Sequence, residues 1–123
     1  MLTPMISVAL GGAIGASARY LTGQALLRVT GGFPWGTLTV NILGSLLMGL
    51  AFVILSQSGP KWMPLLMTGV LGGFTTFSAF SLDAFQLYER GQSGAALSYV
   101  VASVVFSIAA LIAGIAIARS LTA

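Results

Sequence analysis

Charged residues are scarce in this chain, and cysteine and histidine are missing altogether. Of its 123 residues, five are Lys or Arg and two are Asp or Glu, with no Cys and no His. A soluble domain carries about a quarter of its residues charged in order to cover its surface in water. The scarcity of charge therefore excludes a soluble enzyme, a nucleic-acid-binding module and a disordered tail. Without cysteine there is no disulfide or thiolate metal site, and without histidine the most frequent general base is lost.

Apolar residues make up most of the chain. They amount to 57% of it, glycine adds 16 residues, and the mean hydropathy is +1.02. The charged residues separate four long uncharged runs of 18, 32, 21 and 28 residues. Because a bilayer core of about 30 Å needs roughly 20 apolar residues in a helix, we predict an all-α membrane protein with four transmembrane helices. These form a single domain over residues 1–123, with spans at Pro4–Leu27, Gly36–Ser56, Pro64–Tyr88 and Ala95–Ala118.

The first predicted span could instead be a signal peptide that is cleaved from the protein. Ala16-Ser17-Ala18 resembles a cleavage site, but no Lys or Arg precedes the apolar run, and the run resumes after Arg19. A signal peptide has a positively charged start and a single short apolar stretch. We therefore expect the first span to remain part of the protein.

Positive charge is almost equally shared between the two sides that four spans define. Lys61 and Arg119 flank the membrane on one side, whereas Arg28 and Arg90 flank it on the other, where Arg19 adds one more. Orientation follows the excess of Lys and Arg on the cytoplasmic side, and here the excess is at most one. We therefore predict insertion in both orientations and an antiparallel dual-topology homodimer. The alternative is a single orientation set by a small bias.

Small residues recur at four-residue spacing on three of the predicted spans. Such pairs let two helix backbones approach closely in a membrane, although glycine is frequent in membrane helices in any case. The pairs are Gly11 with Gly15, Ser45 with Gly49, and Gly69 with Gly73.

Polar side chains repeat at four-residue spacing on the second and fourth spans. The two sets are Thr37, Asn41 and Ser45, and Tyr99, Ser103 and Ser107. Such spacing places each set on one helix face, and polar groups in lipid need a partner or a cavity. A single membrane serine most often bonds back to the carbonyl four residues earlier. Taken together, however, the two sets predict the wall of a pathway made of hydrogen-bond donors.

The third span contains a segment that disfavours a continuous helix. Adjacent Gly72-Gly73 precede adjacent Thr75-Thr76 in the middle of the span, and both residue types are poor helix formers. We predict a break there, which frees backbone carbonyls and is tolerated only inside protein or beside a cavity. Freed carbonyls at such a break commonly bind a dehydrated monovalent cation.

Two phenylalanines and two serines follow the predicted break at helical spacing. Phe77 and Phe80 share one face, and Ser78 and Ser81 lie beside them. Aromatic pairs at this spacing most often pack in a core. The alternative is that their ring edges, which carry partial positive charge, line a path for an anion.

Three motifs together resemble the CrcB/Fluc family of fluoride channels. They are Gly11-Gly12-x-x-Gly15-Ala16 followed by Arg19-Tyr20, then GTLTVNILGS at Gly36–Ser45, and GGFTTFSAFS at Gly72–Ser81. The match runs in order through the whole chain, and the second and third motifs together are highly specific. The resemblance implies an antiparallel dual-topology homodimer with two pores, in agreement with the distribution of charge.

The resemblance also implies roles for individual residues. The carbonyl groups of Gly72 and Thr75 from both subunits would hold a structural Na⁺ on the dimer axis. The ring edges of Phe77 and Phe80 would meet fluoride, and Arg19 would lie near a pore vestibule. The polar pore residues would be Thr37, Asn41, Ser78, Ser81, Tyr99, Ser103 and Ser107.

Two positions depart from the family pattern. Ala79 stands where the family commonly has a second threonine, and Asp83 stands where it often has the longer glutamate. One hydroxyl of the polar track is therefore missing, and Ser78 or a water would have to replace it. The role of Asp83 stays open.

The activity that the resemblance implies is passive export of fluoride through the cell inner (plasma) membrane, without catalysis. Fluoride accumulates in cytoplasm because HF crosses membranes as a neutral molecule and ionises inside, so an exit pore lowers its toxicity. The expected partners are a second copy of the chain, fluoride and membrane lipid, with no nucleic acid.

Two alternatives come from other classes of protein. A small four-helix, dual-topology, proton-coupled multidrug exporter needs a membrane carboxylate, typically in the first span. Here Asp83, near the end of the third span, is the only acid within a span. A small structural subunit would leave Asn41 and the sets of serines unexplained.

Overall fold

The structure is a computed structural model that describes residues 2–26 and 32–123, and these residues contain helices and short connections but no strand. Helix α1 is Leu2–Leu26, and α2 is Trp35–Ser58. After a 3₁₀ turn at Pro60–Trp62, α3 comprises π-helical Pro64–Leu71 and α-helical Gly72–Phe74. The last two helices are α4, Ser78–Glu89, and α5, Ser93–Thr122. The all-α prediction is confirmed for this part of the chain.

Three helical segments within the described residues are long and apolar enough to cross a membrane. They are Trp35–Ser58, the broken segment Pro60–Glu89, and Ser93–Thr122. The fourth predicted crossing lies in α1, which has 25 residues but is less apolar because Arg19 and four glycines fall within it. Leu27, at the end of the first predicted span, and Arg28 lie outside the described residues.

Two helix pairs form the framework of the fold. The first pair is α1 against α3, and the second is α2 against α5. In the first pair, a Cβ added at Gly11 would lie 2.9 Å from the Cα of Gly69, and one at Gly73 would lie 2.7 Å from the carbonyl oxygen of Gly12. The close approach of helices that the glycine spacing predicts is therefore present, because the backbones of α1 and α3 touch where the glycines lack side chains.

The second pair is built in the same way. A Cβ added at Gly49 of α2 would lie 3.0 Å from the Ile115 nitrogen, and one at Gly114 of α5 would lie 3.0 Å from the Leu50 nitrogen. Each glycine thus faces the other helix's backbone. Packing at this distance gives dispersion contacts along two backbones, which is how membrane helices associate without a hydrophobic effect between them.

A small aromatic and aliphatic core joins α2, α4 and α5. Its buried members are Leu38, Phe80, Leu87, Ala96 and Tyr99. Large apolar side chains elsewhere face outward, including many along α1 and α5. Such a surface is suited to lipid or to another protein surface rather than to water.

The α1–α3 contact leads to a first prediction. Gly15→Ala should destabilise the protein, because its Cβ would collide with the Val70 carbonyl oxygen and lie 2.8 Å from the Phe74 nitrogen. Overpacking of this kind costs about 1–3 kcal/mol. Thermal unfolding in detergent, followed by loss of the size-exclusion peak, measures the change.

Gly12→Ala is the matched control on the same helix. A Cβ at Gly12 would meet nothing within 4 Å, and alanine favours a helix over glycine by about 1 kcal/mol. This variant should unfold at the same temperature as the parent or above it. Equal destabilisation by both substitutions would contradict the packing described for α1 and α3.

Candidate functional site

The helix is interrupted where the sequence predicts a break. α3 ends at Phe74 and α4 begins at Ser78. Thr75 between them has an extended backbone, with φ −91° and ψ 159°. Backbone groups around this residue cannot all bond along a helix, so other parts of the chain have to satisfy them.

Asn41 of α2 supplies the bonds that the break lacks. Its Nδ2 donates to the Thr76 carbonyl oxygen at 2.9 Å, and its Oδ1 accepts the Thr76 N–H at 2.8 Å. One side-chain amide therefore satisfies both backbone groups of a residue outside any helix. Asn41 was predicted to be a donor in the pore wall, and much of its bonding capacity is used on Thr76 instead.

Backbone carbonyls lose their helical donors at the break, among them those of Gly72 and Thr75. In a continuous helix the Thr76 N–H would bond to Gly72, and the Ala79 N–H would bond to Thr75. Instead, the Thr76 N–H donates to Asn41, and the Ala79 N–H donates to Thr76 Oγ1 at 3.1 Å. The carbonyls of Gly72 and Thr75, which the family resemblance assigns to Na⁺, are therefore among those left without their helical donors.

Arg19 of α1 binds a third carbonyl at the break. Its Nε donates to the Gly73 oxygen at 3.1 Å in a partly buried position. A charged donor makes a stronger hydrogen bond than a neutral one, so this contact ties α1 to the end of α3. Arg19 was expected near a vestibule, and it also lines the smaller of the two cavities that flank the break.

The larger cavity, of about 380 Å³, lies between α2, α5 and the break. Its polar lining comprises Asn41, Ser45, Thr75, Thr76, Ser103 and Ser107, and its aromatic lining comprises Phe77 and Phe80. The described residues around it include no Asp or Glu. Two members of each predicted polar set, Asn41 with Ser45 and Ser103 with Ser107, therefore line one cavity, and no described residue in its lining carries a negative charge.

The smaller cavity, of about 260 Å³, lies on the other side of the break, toward the start of α2. Arg19, Tyr20, Gln24, Thr37, Thr76 and Ala79 line it together with two glycines. Thr37 therefore belongs to this cavity and not to the one that Asn41 and Ser45 line. Among the described residues, Thr76 alone lines both cavities.

Ser103 has an unusual environment in the wall of the larger cavity. It is 6% exposed, and its Oγ has no hydrogen-bond partner within the described part of the chain. The usual bond of a membrane serine to the carbonyl four residues earlier is therefore not made. An unpaired buried hydroxyl costs about 1–3 kcal/mol, and a ligand in the cavity would remove that cost.

The two phenylalanines of the predicted pair differ in environment. Phe77 is 77% exposed, whereas Phe80 is 8% exposed and packs on Tyr99 at a ring-centroid distance of 5.2 Å. The Phe77 and Phe80 rings are 5.4 Å apart and tilted by 51°. Phe80 is thus part of the core of the chain as well as of the cavity lining, and packing within the chain does not account for Phe77.

Three predicted pore residues line neither cavity. Tyr99 is fully buried, and its hydroxyl donates to Asp83 Oδ2 at 3.1 Å. The Ser81 hydroxyl donates to the Phe77 carbonyl at 2.9 Å, which is the ordinary back-bond. Ser78 is exposed, and its Oγ lies 3.4 Å from Thr76 Oγ1.

Sequence reasoning missed Thr76 as a site residue, because it was noted only as part of a poor helix. Ser45 was predicted in the wall of the pathway but was not among the pore residues that the resemblance implies. The position of Thr76 could have identified it, since a residue inside a predicted helix break is free to face both sides of that break. The partner of Asn41 could not be found in this way, because it lies 35 positions away on another helix.

Comparison with known proteins agrees with the motifs. Residues 6–115 match the family model described as CrcB-like protein, Camphor Resistance (CrcB). The chain belongs to the CrcB family. The resemblance inferred from the three motifs is thereby confirmed.

Curated relatives of this CrcB-family chain carry the name "Fluoride-specific ion channel FluC". The protein from Cereibacter sphaeroides is 58% identical over 120 residues, which cover 97% of each chain. Those from a Ruegeria species and from Paracoccus denitrificans are 57% and 54% identical over 122 and 119 residues, with 97% and 96% of each chain covered.

The bonds at the break lead to a second prediction. Asn41→Leu keeps the approximate volume but leaves the Thr76 N–H and carbonyl without their partners. Each unpaired buried group costs about 1–3 kcal/mol, so the thermal midpoint in detergent should fall sharply. Ser45→Ala, one turn further along α2 in the same cavity wall, is the control and should change the midpoint little. Similar midpoints for both variants would contradict the role given to Asn41.

Proposed function

We propose that this chain is a fluoride-selective channel that lets fluoride leave the cytoplasm passively and so lowers its toxicity. Membership of the CrcB family and relatives named as fluoride-specific channels support a channel rather than an enzyme. The observation that carries the proposal is the larger cavity, whose polar lining consists of hydroxyls and one amide without a carboxylate. Such a lining offers hydrogen-bond donors to an anion.

Fluoride makes particular demands on a pore. It is small and strongly hydrated, so donors at close range must replace its water. Ser103 offers a buried hydroxyl with no partner in the described chain, and the Phe77 ring offers a partly positive edge. Arg19 adds a fixed positive charge beside the smaller cavity. No step in this mechanism needs a covalent intermediate or an energy source besides the fluoride gradient.

The functional unit that we propose is an antiparallel dual-topology homodimer of four-span subunits. α1 supplies the additional span, since 25 helical residues extend about 37 Å at 1.5 Å per residue. The near equality of Lys and Arg on the two sides supports insertion in both orientations. The exposed Phe77 ring and the open face of the larger cavity suit contact with a second copy and with fluoride. Lipid covers the remaining apolar surface, and the inner membrane is the proposed location.

A structural Na⁺ fits the chemistry of the break. The Gly72 and Thr75 carbonyls have lost their helical donors, and carbonyl oxygens are suitable ligands for a dehydrated monovalent cation. Gly72 is exposed in the single subunit, and a Cβ there would meet nothing closer than the Met67 oxygen at 3.5 Å. Two subunits would contribute four such carbonyls around an axis. The bound ion would supply a fixed positive charge near the anion path.

The proton-coupled multidrug exporter is not favoured. That mechanism needs a carboxylate that exchanges protons and substrate within the membrane. Asp83, the acid within the third span, accepts a hydrogen bond from the buried Tyr99 and lines neither cavity. The family relatives named as channels also argue against an exporter.

The direct test of the proposal is fluoride efflux from liposomes that contain only this purified protein. A fluoride electrode should report release once the membrane potential is clamped with valinomycin and K⁺. Chloride-loaded liposomes serve as the selectivity control and should retain their anion. Release of chloride at the rate of fluoride, or release of neither, would refute the proposed function.

The exposure of Phe77 leads to a third prediction. Phe77→Ile should leave the fold intact, because the ring is 77% exposed in the subunit, yet it should slow fluoride efflux by about tenfold or more as the positive ring edge is lost. Phe74→Ile, three residues earlier and buried at 9% exposure, is the control. It should lower stability while the folded fraction still conducts. Parent-like efflux from Phe77→Ile would leave Phe77 outside the pathway.

The distribution of charge leads to a fourth prediction. Reporters fused to the C-terminus that are active only in the cytoplasm or only outside it should both give signal, because neither orientation is favoured. Adding two lysines after Ala123 should bias insertion and reduce one signal. If the unmodified chain gives signal with one reporter alone, the antiparallel dimer has to be abandoned.

A further inference from the structure

We propose that the hydroxyl of Thr76 is the donor that passes fluoride between the two cavities, and that it contributes to selectivity for this anion. The inference rests on the proposed function and assigns a role to a residue outside the predicted pore set. Thr76 lines the larger cavity together with Asn41 and Phe77, and it lines the smaller one together with Arg19. Thr76 is the residue that the two cavities share, so an ion that moved directly from one to the other would pass it.

Hydrogen bonds already made at the break distinguish its hydroxyls from one another. A hydroxyl has one proton to donate. Thr75 uses its proton on the Leu71 carbonyl at 3.0 Å, and Ser81 uses its proton on the Phe77 carbonyl at 2.9 Å. Neither is free to donate to an anion unless it first gives up that bond.

The Thr76 hydroxyl accepts a hydrogen bond, whereas those of Thr75 and Ser81 donate one. Thr76 Oγ1 accepts the Ala79 N–H at 3.1 Å, so a lone pair is used and the proton is kept. The nearest other hydroxyl is Ser78 Oγ at 3.4 Å, where either group can donate. This is a long contact for two hydroxyls, and an anion would compete with it readily. An accepted N–H also polarises the hydroxyl and makes it a better donor.

The backbone of Thr76 is fixed while its side chain stays available. Asn41 bonds both the N–H and the carbonyl of this residue. A donor that is held in place before the ion arrives loses little entropy when it binds. The position between the two cavities, the unspent proton and the fixed backbone are three separate observations that point to the same role.

The test compares substitutions of Thr76 in the liposome efflux assay, scaled to the amount of folded protein. Thr76→Val keeps the shape and removes the hydroxyl, so fluoride efflux should fall by about tenfold or more, as expected for the loss of a hydrogen bond to a charged group. Thr76→Ser should keep most of the rate. Thr76→Asn, which can cap the Ala79 N–H through oxygen and donate through nitrogen, should recover a large part of it. Thr22→Val is the matched control, because the Thr22 hydroxyl bonds back to the Ala18 carbonyl at 2.9 Å and lines neither cavity, and it should conduct at nearly the parent rate.

Capping alone predicts a different pattern of results. If Thr76 only holds the start of α4, Thr76→Val lowers the thermal midpoint, but the folded fraction conducts like the parent with the same ratio of fluoride to chloride. That result would overturn the inference. Should Thr76→Val fail to fold, Thr76→Cys decides the question, since a thiol is a weak donor of similar size. Parent-like efflux from Thr76→Cys contradicts the role, and a large loss supports it.

Fluoride efflux from the parent protein, measured in the same experiment, distinguishes failure of this inference from failure of the proposed function. If the parent releases no fluoride, the channel proposal fails. If the parent conducts and every Thr76 variant conducts equally, only the role of Thr76 fails.

Discussion

The pair of hydrogen bonds between the Asn41 amide and the backbone of Thr76 is the interaction on which the site depends. Helix breaks in a membrane are costly because lipid offers no partner for backbone groups. Asn41, on the neighbouring helix α2, supplies the missing partners: its Nδ2 lies 2.9 Å from the Thr76 carbonyl oxygen, and its Oδ1 lies 2.8 Å from the Thr76 nitrogen. With those bonds in place the chain can remain extended at Thr75, and the two cavities can lie on either side of the break.

The same interaction separates acceptors from donors along a short segment. Side chains take the N–H groups of Thr76 and Ala79, so the carbonyls of Gly72 and Thr75 are left as acceptors suited to a cation. The hydroxyls of Thr76 and Ser103 are left as donors suited to an anion. A cation site and an anion path can therefore lie close together without any acidic residue. The glycine contacts between α1 and α3 hold the carbonyl end of this segment, and Arg19 covers the Gly73 oxygen.

Much of this arrangement follows from the sequence, but its hydrogen bonds do not. Gly72-Gly73 beside Thr75-Thr76 predicts the break from helix propensity alone, and glycine spacing predicts the close contact of α1 with α3. Local rules cannot tell which hydroxyl keeps its proton, because that depends on helices brought together by folding. Ser81 and Ser103 each follow an aromatic residue by four positions, yet Ser81 makes the ordinary back-bond and Ser103 has no partner in the described chain. Asn41 was predicted to be a donor in the pore wall, and its bonds to Thr76 could not be predicted because that residue lies on another part of the chain, 35 positions away.

Isotope-edited infrared spectroscopy can show whether the break leaves the Gly72 carbonyl free for a cation. With ¹³C=¹⁸O placed at Gly72, we expect a band at the frequency of a carbonyl without a hydrogen bond when choline replaces Na⁺. Adding Na⁺ should then shift that band. The same label at Leu66, within the π-helical part of α3, should absorb as a hydrogen-bonded carbonyl and should not respond to Na⁺. A Gly72 band that matches the Leu66 band in both conditions would contradict the claim that the break frees this carbonyl for a cation.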